Sequence, residues 1–306
     1  MSMELIYQLS ALLLSLGLLF IGLTIFAKFS AYDHDEALTQ SDNPAVGWVT
    51  FGYLSGLLIV LATILGMDVE HDGQSNVMVY DLLELLIYGF LAIVLLKVSG
   101  VLNDRLILGQ FDNRKELVDD RNQGVGVCVL GSYIASALII SGALYGEGRS
   151  IDPNRFWDTL GKDVVSVLVY FAVGQLLLVV FAKLYQRVAG GDVLTAMEAD
   201  YEEEGRTVGG NNAAGTALGL NLIAFGIMLL GAGYTEHEDV VSMAKDYALF
   251  AALGLFVLPM WQVFADKVML HNADLRKEIY EDRNLNAALI EGISVIGLAL
   301  ILFLVF

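Results

Sequence analysis

Long apolar runs alternate with short polar and charged stretches along the whole chain, and this pattern predicts membrane-spanning helices. A helix needs about 20 mostly apolar residues to cross the hydrocarbon layer. Eight runs have about this length, at residues 5–28, 45–66, 82–103, 124–145, 164–186, 213–234, 246–268 and 286–306. They lack the short alternating segments of barrel strands. We therefore predict an all-α polytopic membrane protein of about eight transmembrane helices, here called spans 1 to 8.

The distribution of lysine and arginine between the loops predicts the orientation of these spans. The loops that follow odd-numbered spans hold twelve of these residues, and the loops on the opposite side hold four. Cytoplasmic loops are enriched in lysine and arginine, whatever their acidic content. We therefore expect the loops after odd-numbered spans to be cytoplasmic and both termini to lie on the outer, periplasmic side.

A repeat at an offset of 162 residues indicates a tandem duplication. Residues Arg114–Asn122, RKELVDDRN, recur as Arg276–Asn284, RKEIYEDRN. The repeat predicts two four-helix membrane modules, residues 1–150 and 151–306. Because each module contains an even number of spans, both have the same orientation, and the repeat is parallel rather than inverted.

A finer repeat divides each module into two helical hairpins. Every even-numbered span begins near an asparagine that is followed four positions later by a small residue. These asparagines suit helix N-caps, and four helix N-termini on one surface suit an anion site as the alternative. The asparagines are Asn43, Asn122, Asn211 and Asn284. Small residues along the same spans predict close helix packing, which places even-numbered spans in the interior. These close-packing residues are Gly47, Gly52, Gly56, Gly126, Gly131, Gly215, Gly219 and Gly292.

Composition excludes some partners and gives no sign of a cofactor. The chain is 56% hydrophobic and has a formal net charge of -18, which argues against nucleic acid because a phosphate backbone requires a basic surface. The lipid bilayer is the partner that the pattern itself implies. Cys128 is the one cysteine, no Cys/His cluster has metal-binding spacing, and the four histidines are interpreted as solvated loop residues. The common hydrolase, phosphate-loop and zinc-protease motifs are absent from the sequence, so we expect neither a cofactor nor an enzyme.

Two charged residues fall inside predicted spans, where a charge is costly and therefore a candidate for function. Lys97 lies seven residues before Asp104, and Glu291 lies seven residues after Asn284. At 1.5 Å per residue, both lie about 10 Å below the same membrane surface. They could form an ion pair that joins the modules. The alternative is that the two side chains act independently, with the lysine reaching the headgroups and the glutamate protonated or facing water.

The segment Asp119–Gly126, followed by Gly131–Ala135 and by Ser141 and Gly142, resembles the YjfL-like family of bacterial inner-membrane proteins. The likeness is best over residues 80–147 and weaker over residues 1–75 and 163–306. The second module departs from the pattern where Ala288 and Glu291 replace Gly126 and Val129. The resemblance implies tandem four-span modules, a bacterial inner membrane and an envelope-stress setting, and it supplies no reaction.

Two functional hypotheses follow from the sequence. The first is a non-enzymatic scaffold or sensor that presents the charged loops 112–122 and 274–284 to a cytoplasmic protein partner. The second is an ion channel or small-solute transporter, favoured by the eight spans, the internal pseudo-symmetry and Pro259 within span 7. The small size of a four-span module, as the resemblance implies it, is compatible with a homo-oligomer.

Overall fold

Eight long helices form the body of the protein, which confirms the predicted all-α class and the number of spans. The computed structural model describes residues 2–67, 75–145, 151–189, 192–203, 206–234, 240–269 and 274–306. Within these residues, each of the eight helices is long and apolar enough to cross a membrane. Spans 1 to 8 are Met3–Lys28, Pro44–Gly66, Ser75–Leu102, Gln123–Tyr145, Phe156–Val188, Asn212–Gly231, Val240–Met269 and Leu285–Val305. The predicted module boundary at residue 150 falls outside the described residues.

Each odd-numbered span is followed by a short helix that leads to the next even-numbered span. We call these four segments connectors 1 to 4; the second is a π-helical turn. They are His34–Thr39, Lys115–Asp119, Val193–Glu198 and Leu275–Tyr280. Another π-helical turn, Asn103–Ile107, extends span 3. Because all four connectors follow odd-numbered spans, they lie at the same end of the bundle, which we call the cap face.

The acidic segment near residues 187–212 contains two kinds of regular structure among its described residues. Connector 3 supplies the helical part. It is followed by an antiparallel pair of short strands, β1 (Tyr201–Glu203) and β2 (Arg206–Val208), in which Tyr201 pairs with Val208. The hairpin is an insertion in the second module, so connector 3 lies further from its asparagine in sequence than the other connectors do.

The residue before each repeated asparagine has a left-handed backbone conformation. Its φ angle is 47° at Asp42, 52° at Arg121, 54° at Arg283 and 69° at Gly210. This conformation reverses the chain between the connector and the next span. Glycine adopts it without a steric penalty, whereas Asp42, Arg121 and Arg283 adopt it at some cost. The four turns therefore share one geometry even though glycine occupies only one of them.

Each repeated asparagine caps the even-numbered span that it precedes. The Asn43 side chain accepts hydrogen bonds from the backbone N–H groups of Ala45 and Val46. The side chains of Asn122, Asn211 and Asn284 likewise accept from first-turn N–H groups, at distances between 3.0 and 3.4 Å. These bonds satisfy donors that have no partner within the helix. The capping interpretation therefore has direct geometric support at all four positions.

Three of the asparagine amides also bind the connector of the following unit. Asn43 Nδ2 donates to the Leu117 carbonyl in connector 2 at 2.9 Å. Asn122 Nδ2 donates to Met197 in connector 3 at 2.8 Å, and Asn211 Nδ2 donates to Ile279 in connector 4 at 2.9 Å. We call these three contacts the amide clasps. They join the four hairpins in chain order and leave three of the four asparagine side chains buried.

The spans form two layers. The even-numbered spans pack side by side in the order 2, 4, 6, 8, and the odd-numbered spans lie beside them in the order 1, 3, 5, 7. In the most apolar stretch of spans 4 and 6, 83% of the residues are buried, against 28% in spans 1 and 8. Spans 4 and 6 are therefore the interior that the sequence predicts. Span 8 is even-numbered but more exposed, because it ends the row.

Small residues set the close spacing of the even-numbered row. A Cβ at Gly131 would lie 2.2 Å from the Gly219 carbonyl oxygen, and one at Gly126 would lie 2.6 Å from the Ala45 oxygen. At five further positions a Cβ would also lie 3.1 Å or less from an atom of a neighbouring span, namely Gly52, Gly56, Gly215, Gly219 and Gly292. Gly47 does not: a Cβ there would meet no atom within 4 Å, because its side of span 2 faces outward. Seven of the eight predicted close-packing residues thus lie at helix contacts, and the prediction for Gly47 is wrong.

Candidate functional site

Two cavities beneath the cap face occupy equivalent positions in the two modules. The first, of about 200 Å³, lies between the end of span 1, span 3, connector 2 and the start of span 4. The second, of about 120 Å³, lies between the end of span 5, span 7, connector 4 and the start of span 8. Wall residues correspond at the offset of 162, as in Val101 and Val263, Arg114 and Arg276, or Leu117 and Ile279. We call them the first and second pockets.

The first pocket contains Lys97 against aromatic rings. The Lys97 ammonium lies 5.0 Å from the centre of the Phe26 ring, a favourable cation–π distance. Phe26 in turn stacks on Tyr53 with ring centres 4.5 Å apart and meets Tyr133 edge to face. Asp104 also lines this pocket, seven residues and about two helical turns from Lys97 toward the cap face. The lysine is therefore accommodated by aromatic faces and by a carboxylate of its own module.

The second pocket contains Glu291, which is 5% exposed. Its Oε1 accepts hydrogen bonds from Gln262 Nε2 on span 7 and, at 3.4 Å, from Asn221 Nδ2 on span 6. The Gln262 Oε1 atom is buried and has no hydrogen-bond partner among the described residues. The Tyr280 hydroxyl, 3.0 Å from that of Tyr185, lies in the same wall. Oxygen atoms from three different elements therefore line one small cavity.

The predicted ion pair between Lys97 and Glu291 is not formed. Each residue faces partners of its own module, Lys97 the Phe26 ring and Glu291 the Gln262 amide. The positions share a depth but lie in separate, equivalent pockets. In the first pocket the counterpart of Glu291 is Val129, and the place of Gln262 is taken by Gly100. The two charged residues therefore lie in two chemically different pockets, one in each module, and do not join the modules.

His34 is a functional candidate that the sequence interpretation missed. It was expected to be solvated but is 6% exposed, and its Nε2 lies 2.9 Å from Thr50 Oγ1. Because the Thr50 hydroxyl donates to the Val46 carbonyl, His34 Nε2 carries the proton in this contact. Burial lowers the pKa of His34, while the carboxylates of Asp35 and Asp33 act in the opposite direction. The other three histidines lie outside the described residues.

The four asparagines give less support to an anion site than to capping. The Asn122 amide is already occupied by the Met197 carbonyl and by the Glu116 carboxylate at 2.7 Å. Asn284 has the equivalent bond to Glu278 at 2.8 Å. An acidic side chain thus takes the position beside two of the caps, where a bound anion would meet like charge. Burial raises the pKa of Glu116, while its bond with Asn122 opposes that shift.

The described residues contain no group of three or more histidine, cysteine, aspartate and glutamate side chains that could hold a metal ion. Cys128 is fully buried in span 4, where it packs as a small apolar residue. Gln262 on span 7 bonds Glu291 on the neighbouring span 8 through Nε2. Asn221 and Tyr280 were not singled out from the sequence, because a lone amide or phenol in an apolar run gives no spacing signal.

Comparison with known proteins identifies a family of unassigned function. The model of the Domain of Unknown Function family DUF350 matches the chain twice, over residues 1–144 and 159–306. The chain therefore belongs to the DUF350 family and carries its domain in tandem, as the repeat at offset 162 predicts. Neither the curated proteins nor the solved structures contain a match to this chain.

Proposed function

We propose that this tandem DUF350 protein is a non-enzymatic scaffold or sensor of the bacterial inner membrane, with its cap face in the cytoplasm. The eight apolar helices make it an integral membrane protein. The basic residues of the loops after odd-numbered spans support the orientation. The narrower likeness to the YjfL-like family supports a bacterial inner membrane and an envelope-stress setting.

One observation carries the proposal: the cap face presents the same charged surface twice. In connector 2 and its turn, Arg114 and Lys115 are exposed, and in connector 4 Arg276 and Lys277 are exposed. The apolar residues Leu117 and Ile279, which follow these cations by two positions, are buried and pack each connector against the bundle. Two ordered copies of one charged surface suit a protein partner that engages both modules, or a homo-oligomer that repeats them.

Charge reversal at both copies tests this docking role. We expect Arg114→Glu and Lys115→Glu, combined with Arg276→Glu and Lys277→Glu, to abolish co-purification of the partner after cross-linking in membranes. A matched control reverses Arg155 and Lys162, which are exposed at the opposite end of the bundle. Retention of every cross-linked partner by the connector variant, at normal protein level, would contradict the docking role.

The orientation has its own test, because the native cysteine is buried. A thiol reagent that cannot cross the membrane should label Lys162→Cys in intact spheroplasts and should label Lys115→Cys only after permeabilisation. Cys128 is 0% exposed and gives a low background. The reverse labelling pattern would place the cap face outside the cell.

Transport is the second candidate function, and the buried polar groups of the second pocket favour it. Selective ion or solute flux into liposomes containing the purified protein would support this alternative, provided that Lys97→Ala with Glu291→Ala changes the flux. The close packing of spans 4 and 6 supports the scaffold instead, since backbone contacts at Gly131 and Gly219 fill the centre of the row. We therefore expect no flux above that of protein-free liposomes.

A further inference from the structure

We infer that a groove at the edge of the first module binds a glycerophospholipid whose headgroup carries a primary amine, with Asp35 and His34 as acceptors for the ammonium. The groove, here called the edge groove, has a volume of about 810 Å³ and lies between span 1, connector 1 and span 2. This inference goes beyond the proposed function, because partner docking is assigned to connectors 2 and 4.

The apolar wall of the edge groove follows span 1 into the hydrocarbon layer. Phe20, Leu23 and Leu54 line its deeper part, and Lys28 lies at its cap-face end. The eight residues from Phe20 to Lys28 correspond to about 12 Å of helix rise, which is most of the half-thickness of about 15 Å that one leaflet contributes. Spans 1 and 2 end their rows, and Phe20 is 73% exposed, so the groove opens toward lipid. An acyl chain is the occupant that fits this wall.

The polar end of the edge groove carries charges of both signs. Lys28 in the last turn of span 1 is the cation, and Asp33 and Asp35 at the start of connector 1 are the carboxylates. Asp33 Oδ1 already accepts from the backbone N–H of Glu36, whereas the Asp35 side chain is 96% exposed. A phosphate suits the lysine and an ammonium suits the carboxylates. A headgroup with both charges therefore meets a complementary charge at each end.

The His34 ring supplies a second acceptor beside the Asp35 carboxylate. Because Nε2 carries the proton toward Thr50, Nδ1 of the neutral ring has a lone pair and, among the described residues, no hydrogen bond. Burial lowers the pKa of His34, which favours this neutral ring. Nδ1 lies 3.9 Å from Asp35 Oδ1. A single ammonium can donate to both atoms, since it has three N–H groups and its hydrogen bonds are about 2.9 Å long.

The other connectors show that this acidic character is not required by the fold. Counted back from the repeated asparagine, the position of Asp35 is held by Arg114 in connector 2 and by Arg276 in connector 4. One backbone geometry therefore presents a cation at two connectors and an anion at connector 1. A partner that recognises the basic surface of connectors 2 and 4 does not fit connector 1, whereas an amine does.

Hydrogen bonding selects a primary amine over a quaternary one. A choline headgroup has the same charges as an ethanolamine headgroup, but its nitrogen has no N–H group and cannot donate to His34 Nδ1 or Asp35 Oδ1. A glycerol headgroup has no positive charge to meet the carboxylate. Since charge-assisted hydrogen bonds are the stronger kind, the ethanolamine headgroup is the expected ligand.

Native mass spectrometry of the full-length protein in detergent tests the site. Dioleoyl phosphatidylethanolamine, phosphatidylcholine and phosphatidylglycerol are titrated separately, so that the acyl chains are identical and only the headgroup differs. We expect the first molecule of phosphatidylethanolamine to bind about tenfold more tightly than either of the other lipids, as one charge-assisted hydrogen bond provides.

Four variants assign the preference to the edge groove. Asp35→Asn removes the charged acceptor and should reduce the preference for the ethanolamine over the choline lipid to below about threefold. His34→Leu, which introduces the residue that connector 4 has as Leu275, should reduce it as well. Lys28→Ala should weaken all three lipids by a similar factor, because they share the phosphate. Glu36→Gln is the matched control: it removes an exposed carboxylate of the same connector outside the groove and should keep the preference.

Three results would overturn the inference. One is equal affinity of the wild-type protein for the ethanolamine and choline lipids. Another is an unchanged preference in Asp35→Asn, a change at an exposed position that decides the matter even if His34→Leu does not fold. The third is an equal loss of preference in Glu36→Gln, which would assign the effect to net surface charge. Docking at connectors 2 and 4 is read out by cross-linking, so the proposed function is judged separately.

Discussion

The contact between Gly131 and Gly219 allows a quantitative prediction for the joint between the modules. Gly131 lies on span 4 of the first module and Gly219 on span 6 of the second. A Cβ at residue 131 would lie 2.2 Å from the Gly219 carbonyl oxygen and 2.6 Å from its Cα. Both obstructing atoms are backbone, so no side-chain rotation relieves the clash.

The substitution Gly131→Ala therefore forces the two spans apart. Ordinary contact begins at 3.4 Å, so the helices must separate or slide by about 1.2 Å at this point. A gap of about 1 Å already removes up to half of the dispersion energy of each neighbouring contact. Overpacking of this kind costs about 1–3 kcal/mol, and the lower conformational entropy of alanine in the unfolded chain returns less than about 1 kcal/mol. We expect net destabilisation of about 0.5–2.5 kcal/mol.

Reversible unfolding in mixed micelles measures this effect, and Gly47→Ala is the matched control. Gly47 lies in the cap-face half of another even-numbered span, four residues after its repeated asparagine, but a Cβ there meets no atom within 4 Å. Gly47→Ala should therefore be neutral or stabilising by up to about 1 kcal/mol, from helix propensity alone. Equal stability of Gly131→Ala and Gly47→Ala would refute the assignment of this contact as the close joint between modules.

Three further predictions concern side chains beneath the cap face. Asn122→Ala should lower the free energy of unfolding by about 2–4 kcal/mol, because it removes a cap and leaves buried Glu116 without its donor; a loss below 0.5 kcal/mol in chemical unfolding would contradict this. Burial lowers the pKa of His34 below 6.5, so the folded protein binds that proton more weakly than the unfolded chain does, and stability should fall as the pH drops below 6.5. His34→Gln should flatten that part of the plot of Tm against pH. An unchanged plot would count against this role of His34. Lys97→Glu combined with Glu291→Lys should change Tm by the sum of the two single effects, because the residues lie in separate pockets. Rescue of the single variants by the double change would instead support the ion pair between the modules.

The helical architecture could be predicted because its signals are local. A run of apolar residues marks a span whatever surrounds it, and the asparagine before each even-numbered span marks a cap. Small residues identified the close faces of spans 4 and 6 for the same reason, since only backbone approach explains them within lipid. Gly47 has the same spacing from its asparagine as Gly126 but makes no such contact. The error arose because the sequence does not show that span 2 ends the row.

The pockets could not be assembled from the sequence, although their depth could. The rise per residue gave Lys97 and Glu291 a common level, but it carries no information about which neighbouring helix each side chain faces. Equivalence at the offset of 162 argues for separate pockets, one in each module, and the pairing hypothesis set that equivalence aside. His34 was missed because its helix has six residues, too few to show a hydrophobic period.

The amide clasps have a direction, and that direction matters for biogenesis. Each clasp uses an asparagine of an earlier hairpin to hold the connector of the next one, from Asn43 through Asn122 to Asn211. Among the described residues, Asn284 makes its amide bond within its own unit. In each clasp the asparagine is therefore synthesised before the connector that it holds. The clasps of the folded protein are therefore compatible with assembly hairpin by hairpin in the order of synthesis.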